Sequence, residues 1–203
     1  GPVVADVDLV DHEAPVAGGG ERGHWRGSGR WVKGRAILAQ GGWIRRRSQF
    51  SCMSKLIEEF GALVDAFNRC EIEFALCGGL AVAAHGLVRA TQDIDLLIRE
   101  ESLDAAFAAA AELGYDIRGL DISFKQPTVE IRRVSKIAGE DLISLDLLLV
   151  TPPVEDVWEG REDREFAGRP LAVVSREGLI KMKRQAGRPQ DLADIERLEN
   201  ERD

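Results

Sequence analysis

A mixed α/β domain closed by a pair of C-terminal helices is the fold class this sequence predicts, and three observations predict it. From Met53 onward the hydrophobic spacing switches back and forth between a helical and an extended period. The extended runs are separated by alanine- and leucine-rich helical stretches instead of following one another as hairpins throughout. The chain then finishes in two helical patterns broken at Gly187–Pro189. A chain of 203 residues, 44% hydrophobic and 31% charged, can build one core of about 150 residues and carry an appendage.

The elements follow in order. Residues 1–52 hold ten of the 21 glycines together with Trp25, Trp31 and Trp43, and show no period. This segment is expected to be a disordered or non-native extension, with Met53 as the natural start and 53–203 as the domain. Leu56, Phe60, Leu63, Val64 and Phe67 then repeat at helical spacing to about Asn68. "EIEFALCGG" (Glu71–Gly79) reads as a strand closing on glycine, "LAVAAHG" as a short helix, and "DIDLLI" as a second strand. Ser102 can cap a helix of alanines that Gly114 ends. "TVEIRRVSKI" and "LISLDLLLV" alternate as strands, and "EFAGRPLAVV" has the form of a strand pair turning at Gly168. Ser175 caps the first of the two final helices.

Charge and composition narrow the function classes. Residues 1–52 carry eight Lys/Arg against five Asp/Glu, which leaves 19 against 30 in the remainder. So acidic a body is no general nucleic-acid coat, and any polyanion must meet a local basic patch. No apolar run approaches the roughly 18 residues a membrane span needs, and no secretory signal is apparent, so a cytoplasmic protein without a membrane partner is expected. Cys52, Cys70 and Cys77 have neither the number nor the spacing of a disulfide framework or zinc knuckle.

The chemistry lies in lone acids that interrupt apolar strands. Side chains alternate across a strand, so Asp93 and Asp95 share a face with Leu97, while Ile94, Leu96 and Ile98 take the other. In "LISLDLLLV" the same rule puts Asp146 with Ser144 and Leu148. If these strands are neighbours, three carboxylates converge, an arrangement that like-charge repulsion forbids without a cation. Hard divalent ions such as Mg²⁺ accept such oxygen ligands and share the rest of their shell with substrate phosphates. The Gly78–Gly79 turn can present backbone N–H groups to those phosphates. His85, in an alanine-rich helix, reads as a structural histidine.

Gly78–Gly79, the acid-x-acid strand at Asp93–Asp95 and the lone strand acid Asp146 together resemble the signature of the DNA polymerase beta-type nucleotidyltransferase superfamily. "CGGLAVAAHGLVRATQDIDLLI" with "LIKMKRQAGRPQDLADIERL" is similar to the minimal nucleotidyltransferases of the AbiEii/AbiGii toxin type, over about Phe74 to Leu198. The resemblance implies a nucleotidyltransferase fold and transfer of a nucleoside monophosphate from an NTP to a hydroxyl, with release of pyrophosphate. It implies that Asp93, Asp95 and Asp146 bind two Mg²⁺ (or Mn²⁺) ions, with Asp146 also the base toward the acceptor. Gly78 and Gly79 would hold the triphosphate, with Arg89 and Thr91 as further phosphate contacts. Lys183, Arg188 and Asp191 of the helical hairpin would close over the nucleotide. The acceptor it implies is an RNA end, foremost a tRNA 3′ end, in a toxin-like protein with a cognate antitoxin. A protein or small-molecule acceptor, and a non-catalytic binding protein or antitoxin that keeps the fold, are the alternatives. The chain is shorter than the larger AbiEii proteins, and basic residues such as Arg132, Arg133, Lys136, Arg184 and Arg188 gathering beside the site would separate an RNA acceptor from the others.

Overall fold

The computed structural model of the chain describes residues 53–125 and 128–200. The extension expected over residues 1–52, with Trp25, Trp31 and Trp43, lies outside the described residues.

Helix α1 spans 53–69 and buries Leu56, Phe60, Leu63, Val64 and Phe67, the face that its periodicity marks. Phe60 meets Phe166 and Phe67 meets Phe74 edge-on, which ties this helix to two separate strands of the sheet. Strand β1 (Phe74–Leu76) is shorter than the expected Glu71–Gly79. The chain turns at Gly78, whose φ of 61° is left-handed, and helix α2 (Gly78–Ala84) starts there at once. Strand β2 (Asp93–Ile98) follows, then a 3₁₀ turn (Glu100–Ser102) and helix α3 (Leu103–Glu112). Ser102 makes no side-chain capping bond, because it sits in that turn with helical backbone angles. Gly114, at φ 87°, lies just past the helix, as the sequence predicts.

Strands β3 (Ile117–Arg118) and β4 (Ile122–Lys125) pair in succession along one edge of β5 (Thr128–Ala138), whose other edge takes β6 (Asp141–Leu149). Helix α4 (Glu155–Glu159) precedes the hairpin of β7 (Glu162–Phe166) and β8 (Arg169–Val173). Ala167 and Gly168 both have positive φ, the geometry of a two-residue hairpin turn. β3, β4 and α4 escape sequence reading because each is too short to establish a period. Helix α5 (Arg176–Ala186) is capped by Ser175, whose Oγ accepts from the Gly178 amide at 3.2 Å. It ends at Gly187 in the left-handed region, and α6 (Pro189–Asn200) completes the expected hairpin.

Among the described residues the eight strands form one mixed sheet, in the order β3-β5-β6-β2-β1-β8-β7 with β4 also on β5. β2 runs parallel to β6, and β1 parallel to β8; the other pairings are antiparallel. Ile94, Leu96, Ile98, Leu145 and Leu147 are buried on one sheet face. The opposite face of β2, β6 and β5 carries the site. No helix among the described residues is long and apolar enough to cross a membrane.

Candidate active site

The parallel pairing of β2 with β6 does what the sequence could state only as a condition. Its register sets Asp95 beside Asp146 and Asp93 beside Ser144, so the three acids share one face of two central strands. They do not sit on a solvent edge, since β2 is flanked by β6 and β1. The acids open into a cavity of about 770 Å³. Every residue predicted for the site lines it: Gly78, Gly79, Arg89, Thr91, Asp93, Asp95, Asp146, Lys183, Arg188 and Asp191.

The positive group among these acids is Arg133. It lies opposite Asp146 on β5 and donates to both carboxylate oxygens, Nε to Oδ1 and an Nη to Oδ2, each at 2.6 Å. A guanidinium nitrogen also comes within 4.0 Å of Asp93. This fork-to-fork contact pushes the Arg133 pKa up from an already high value. Gly119 makes room for it, since a Cβ there would meet Arg133 Cβ and Cγ at 2.9 Å. Among the described residues Asp95 has no such cationic fork. Burial, and then the charges of Asp146 and Asp93, push its pKa up to about 6. Burial likewise raises Asp93, against the pull of Arg133.

Among the described residues no trio of His, Cys, Asp or Glu stands ready-assembled around a cation position, and Arg133 occupies both Asp146 oxygens. The donor set nevertheless fits a hard divalent cation. It consists of carboxylate oxygens only, and the charges of Asp146 and Asp93 add to burial in raising the Asp95 pKa.

Close packing explains the glycines. A Cβ on Gly78 would overlap the Asp95 carboxylate, and its positive φ disfavours any other residue. A Cβ on Gly79 would lie 2.5 Å from Thr91 Oγ1. The Gly79 backbone acts to lower the Asp95 pKa and Gly78 packs on its carboxylate, so the turn and the acid strand are built against each other. Gly78→Ala is therefore expected to cost about 1–3 kcal/mol in a thermal melt and to displace Asp95, with loss of divalent-metal binding in titration. An alanine variant that melts and binds metal normally would contradict this reading.

The hairpin forms the opposite wall. Lys183 is 5% exposed and its Nζ donates to Asp194 at 2.7 Å and Asp191 at 3.3 Å. Arg89 adds a contact from its Nε to Asp194 at 3.0 Å. Burial pushes both carboxyls up, but the hydrogen bonds and charges of Lys183 with Arg188 at Asp191, and of Lys183 with Arg89 at Asp194, outweigh it and hold both below the usual range. Asp194 and Gln190, which donates to it, complete a network whose charge matching a local sequence pattern does not reveal. Arg188 differs: its side chain is 76% exposed at the cavity and touches Asp191 at 2.6 Å. Thr91 approaches the Asp93 carbonyl at 3.5 Å.

Arg132, Lys136 and Arg184 do not gather at the cavity. Arg132 and Lys136 lie on the opposite face of β5 from Arg133 and pair with Glu130 and Glu59. Arg184 pairs with Glu199. His85 is buried and its Nε2–H donates to the Val174 carbonyl at 2.9 Å, the structural role its sequence context suggests. Cys77 is buried, which raises its thiol pKa well above the ordinary value and makes it a poor nucleophile.

This mixed sheet flanked by helices, closed by a C-terminal helical hairpin, has the nucleotidyltransferase fold. No protein-family model and no curated protein matches the chain. Among solved structures, the crystal structure of ANT(2″)-Ia in complex with adenylyl-2″-tobramycin superposes with a TM-score of 0.52 at 18% identity, over 70% of this chain and 86% of that one. The solution structure of the antibiotic-resistance factor ANT(2″)-Ia superposes with a TM-score of 0.50 at 16% identity, over 71% and 82%.

Proposed function

We propose that the chain is a metal-dependent nucleotidyltransferase, moving a nucleoside monophosphate from an NTP to an acceptor hydroxyl, and that the acceptor is a small molecule. The observation that carries the reaction class is the β2–β6 register, which sets Asp95 against Asp146 with Asp93 on the same face, beside Gly78–Gly79 in one cavity. Asp93, Asp95 and Asp146 would hold Mg²⁺ or Mn²⁺. A divalent cation there supplies Lewis acidity toward the α-phosphate and lowers the pKa of the attacking hydroxyl. Gly78 and Gly79 would receive the triphosphate by their backbone, with Thr91 and the exposed Arg188 as further phosphate contacts. Lys183 and Arg89 act one step back, bracing the hairpin through Asp191 and Asp194. Asp146 takes the acceptor proton after Arg133 gives up one of its oxygens. The new O–P bond forms as the bond to the departing pyrophosphate breaks.

The surroundings of the cavity favour a small acceptor over an RNA end. Among the described residues Arg89, Arg133, Lys183 and Arg188 line it, but each contacts a carboxylate of Asp146, Asp191 or Asp194, while Arg132, Lys136 and Arg184 pair elsewhere. Among the described residues that arrangement offers no basic tract along which an RNA backbone would run. The tRNA-end reading, with its toxin role and antitoxin, rests on sequence resemblance alone. The non-catalytic reading is disfavoured because mutually repelling acids are a cost that a pure binding protein has no reason to keep.

The test is incubation of the purified protein with each labelled NTP and Mg²⁺ or Mn²⁺, beside pools of small metabolites, total RNA and total protein. Label in the small-molecule fraction, with release of pyrophosphate, is the expected result. Label confined to RNA would restore the tRNA reading, and an absence of both transfer and metal-dependent nucleotide binding would remove the enzyme reading.

A further inference from the structure

The site face of the sheet is ruled into cross-strand rows, and they differ in chemistry. One row holds Asp93, Ser144 and Ser135, and the next holds Asp95, Asp146 and Arg133. The row after that is wholly apolar, with Leu97 on β2, Leu148 on β6, Ile131 on β5 and Ile122 on β4. Successive rows on one face are about 7 Å apart, so the apolar row begins one side chain beyond the acids. All four of its residues line the cavity, and Leu148, Ile131 and Ile122 are only half-buried. Leu179 and Met182 of α5 also line the cavity, so apolar side chains come from both the sheet and the hairpin.

Position assigns this strip a role, granted the nucleotidyl-transfer reading above. In-line displacement requires the attacking hydroxyl to approach from the side away from the leaving pyrophosphate. The phosphate end is at Gly78–Gly79, directly after β1. Across the sheet the order runs β1, β2, β6, β5, so Ile131 stands three strand spacings, about 14 Å, from β1 on the far side of the acids. Charge narrows the occupant further. The carboxylates lining the cavity are Asp93, Asp95, Asp146 and Asp191. The first three are assigned to the cations and the fourth is held by Lys183 and Arg188, which among the described residues leaves no lining carboxylate to recognise ammonium groups.

We propose that Leu148, Ile131 and Ile122 form the acceptor subsite, and that the acceptor is an uncharged hydroxylated molecule with a hydrocarbon face, aromatic or alicyclic, and not a polycation or a nucleic acid. The apolar face packs on the strip and carries its hydroxyl back toward Asp146.

Phenyl β-glucoside, an aminoglycoside and a short single-stranded RNA serve as probes, each titrated into the full chain saturated with Mn²⁺ and a non-hydrolysable NTP analogue. Phenyl β-glucoside is expected to bind, and Ile131→Ser to weaken that binding about tenfold with nucleotide affinity unchanged within about twofold. Ile122→Ser, nearer the sheet edge, is the second variant if Ile131→Ser fails to fold. The subsite is overturned if phenyl β-glucoside does not bind, if the aminoglycoside or the RNA binds more tightly, or if both serine variants bind the glucoside as the wild type does. Failure of the nucleotide analogue itself to bind would overturn the transfer reading, and the subsite with it, so the two failures are told apart by the first titration.

Discussion

Asp95→Asn is expected to abolish nucleotidyl transfer while stabilising the metal-free protein. Loss of one ligand removes several kcal/mol of charge stabilisation, about a thousandfold or more in rate. The gain in stability comes from the opposite side of the same fact. With a folded pKa of about 6 against about 3.9 unfolded, ionised Asp95 costs the metal-free fold about 1–3 kcal/mol at pH 7. The sign follows from proton binding. The folded state holds this proton more tightly, so the stability tied to Asp95 is present below about pH 4 and is lost as pH rises to about 6. The Asp95→Asn substitution would remove that loss, and Mg²⁺ or Mn²⁺ would offset it in the wild type. Asp146→Asn should differ, because it breaks the bidentate contact with Arg133 and costs about 1–3 kcal/mol. Thermal melts from pH 4 to 8, with and without Mn²⁺, beside a transfer assay, check all three statements. A wild type indifferent to divalent ions, or an Asp95→Asn protein that unfolds, would remove the metal site.

Lys183→Met is expected to destabilise the fold by about 3–5 kcal/mol, a fall in melting temperature of about 10 °C or more. Asp191 and Asp194 are 1% and 0% exposed, and without the ammonium they remain as close, buried carboxylates. Acid should rescue the variant. In the wild type both carboxyls are held below their ordinary range, so their contribution is present above about pH 4 and is lost as pH falls through the folded values. In Lys183→Met both folded pKa values rise, that of Asp194 most because Lys183 is its main cation, and the deficit shrinks as pH falls through the raised values. Melts of both proteins across that range decide the matter. A normal melt combined with weak nucleotide binding would instead put Lys183 on the triphosphate.

The strand and helix pattern was legible because periodicity is local. Leu56 to Phe67 and Asp93 to Ile98 announce their buried faces through the spacing of their own neighbours. Ser175, Gly168 and Gly187 announce their turns and cap by residue type. Alternation alone put Asp93 with Asp95 and Asp146 with Ser144. Ser102 shows the limit of such reasoning, since its residue type suits a cap but the preceding turn uses its backbone differently.

What the sequence by itself determined, then, was the set of elements and the face on which each acid stands. The tertiary structure alone decided that β2 and β6 are parallel neighbours in the register that sets Asp95 against Asp146, and that Arg133 crosses from β5 to hold Asp146. It alone committed Lys183 to Asp191 and Asp194, and aligned Leu97, Leu148, Ile131 and Ile122 into one strip. The physical reason is range. A strand's pleat is set within a few residues, whereas register and the pairing of buried charges join positions far apart in the chain, where no period of the sequence reaches.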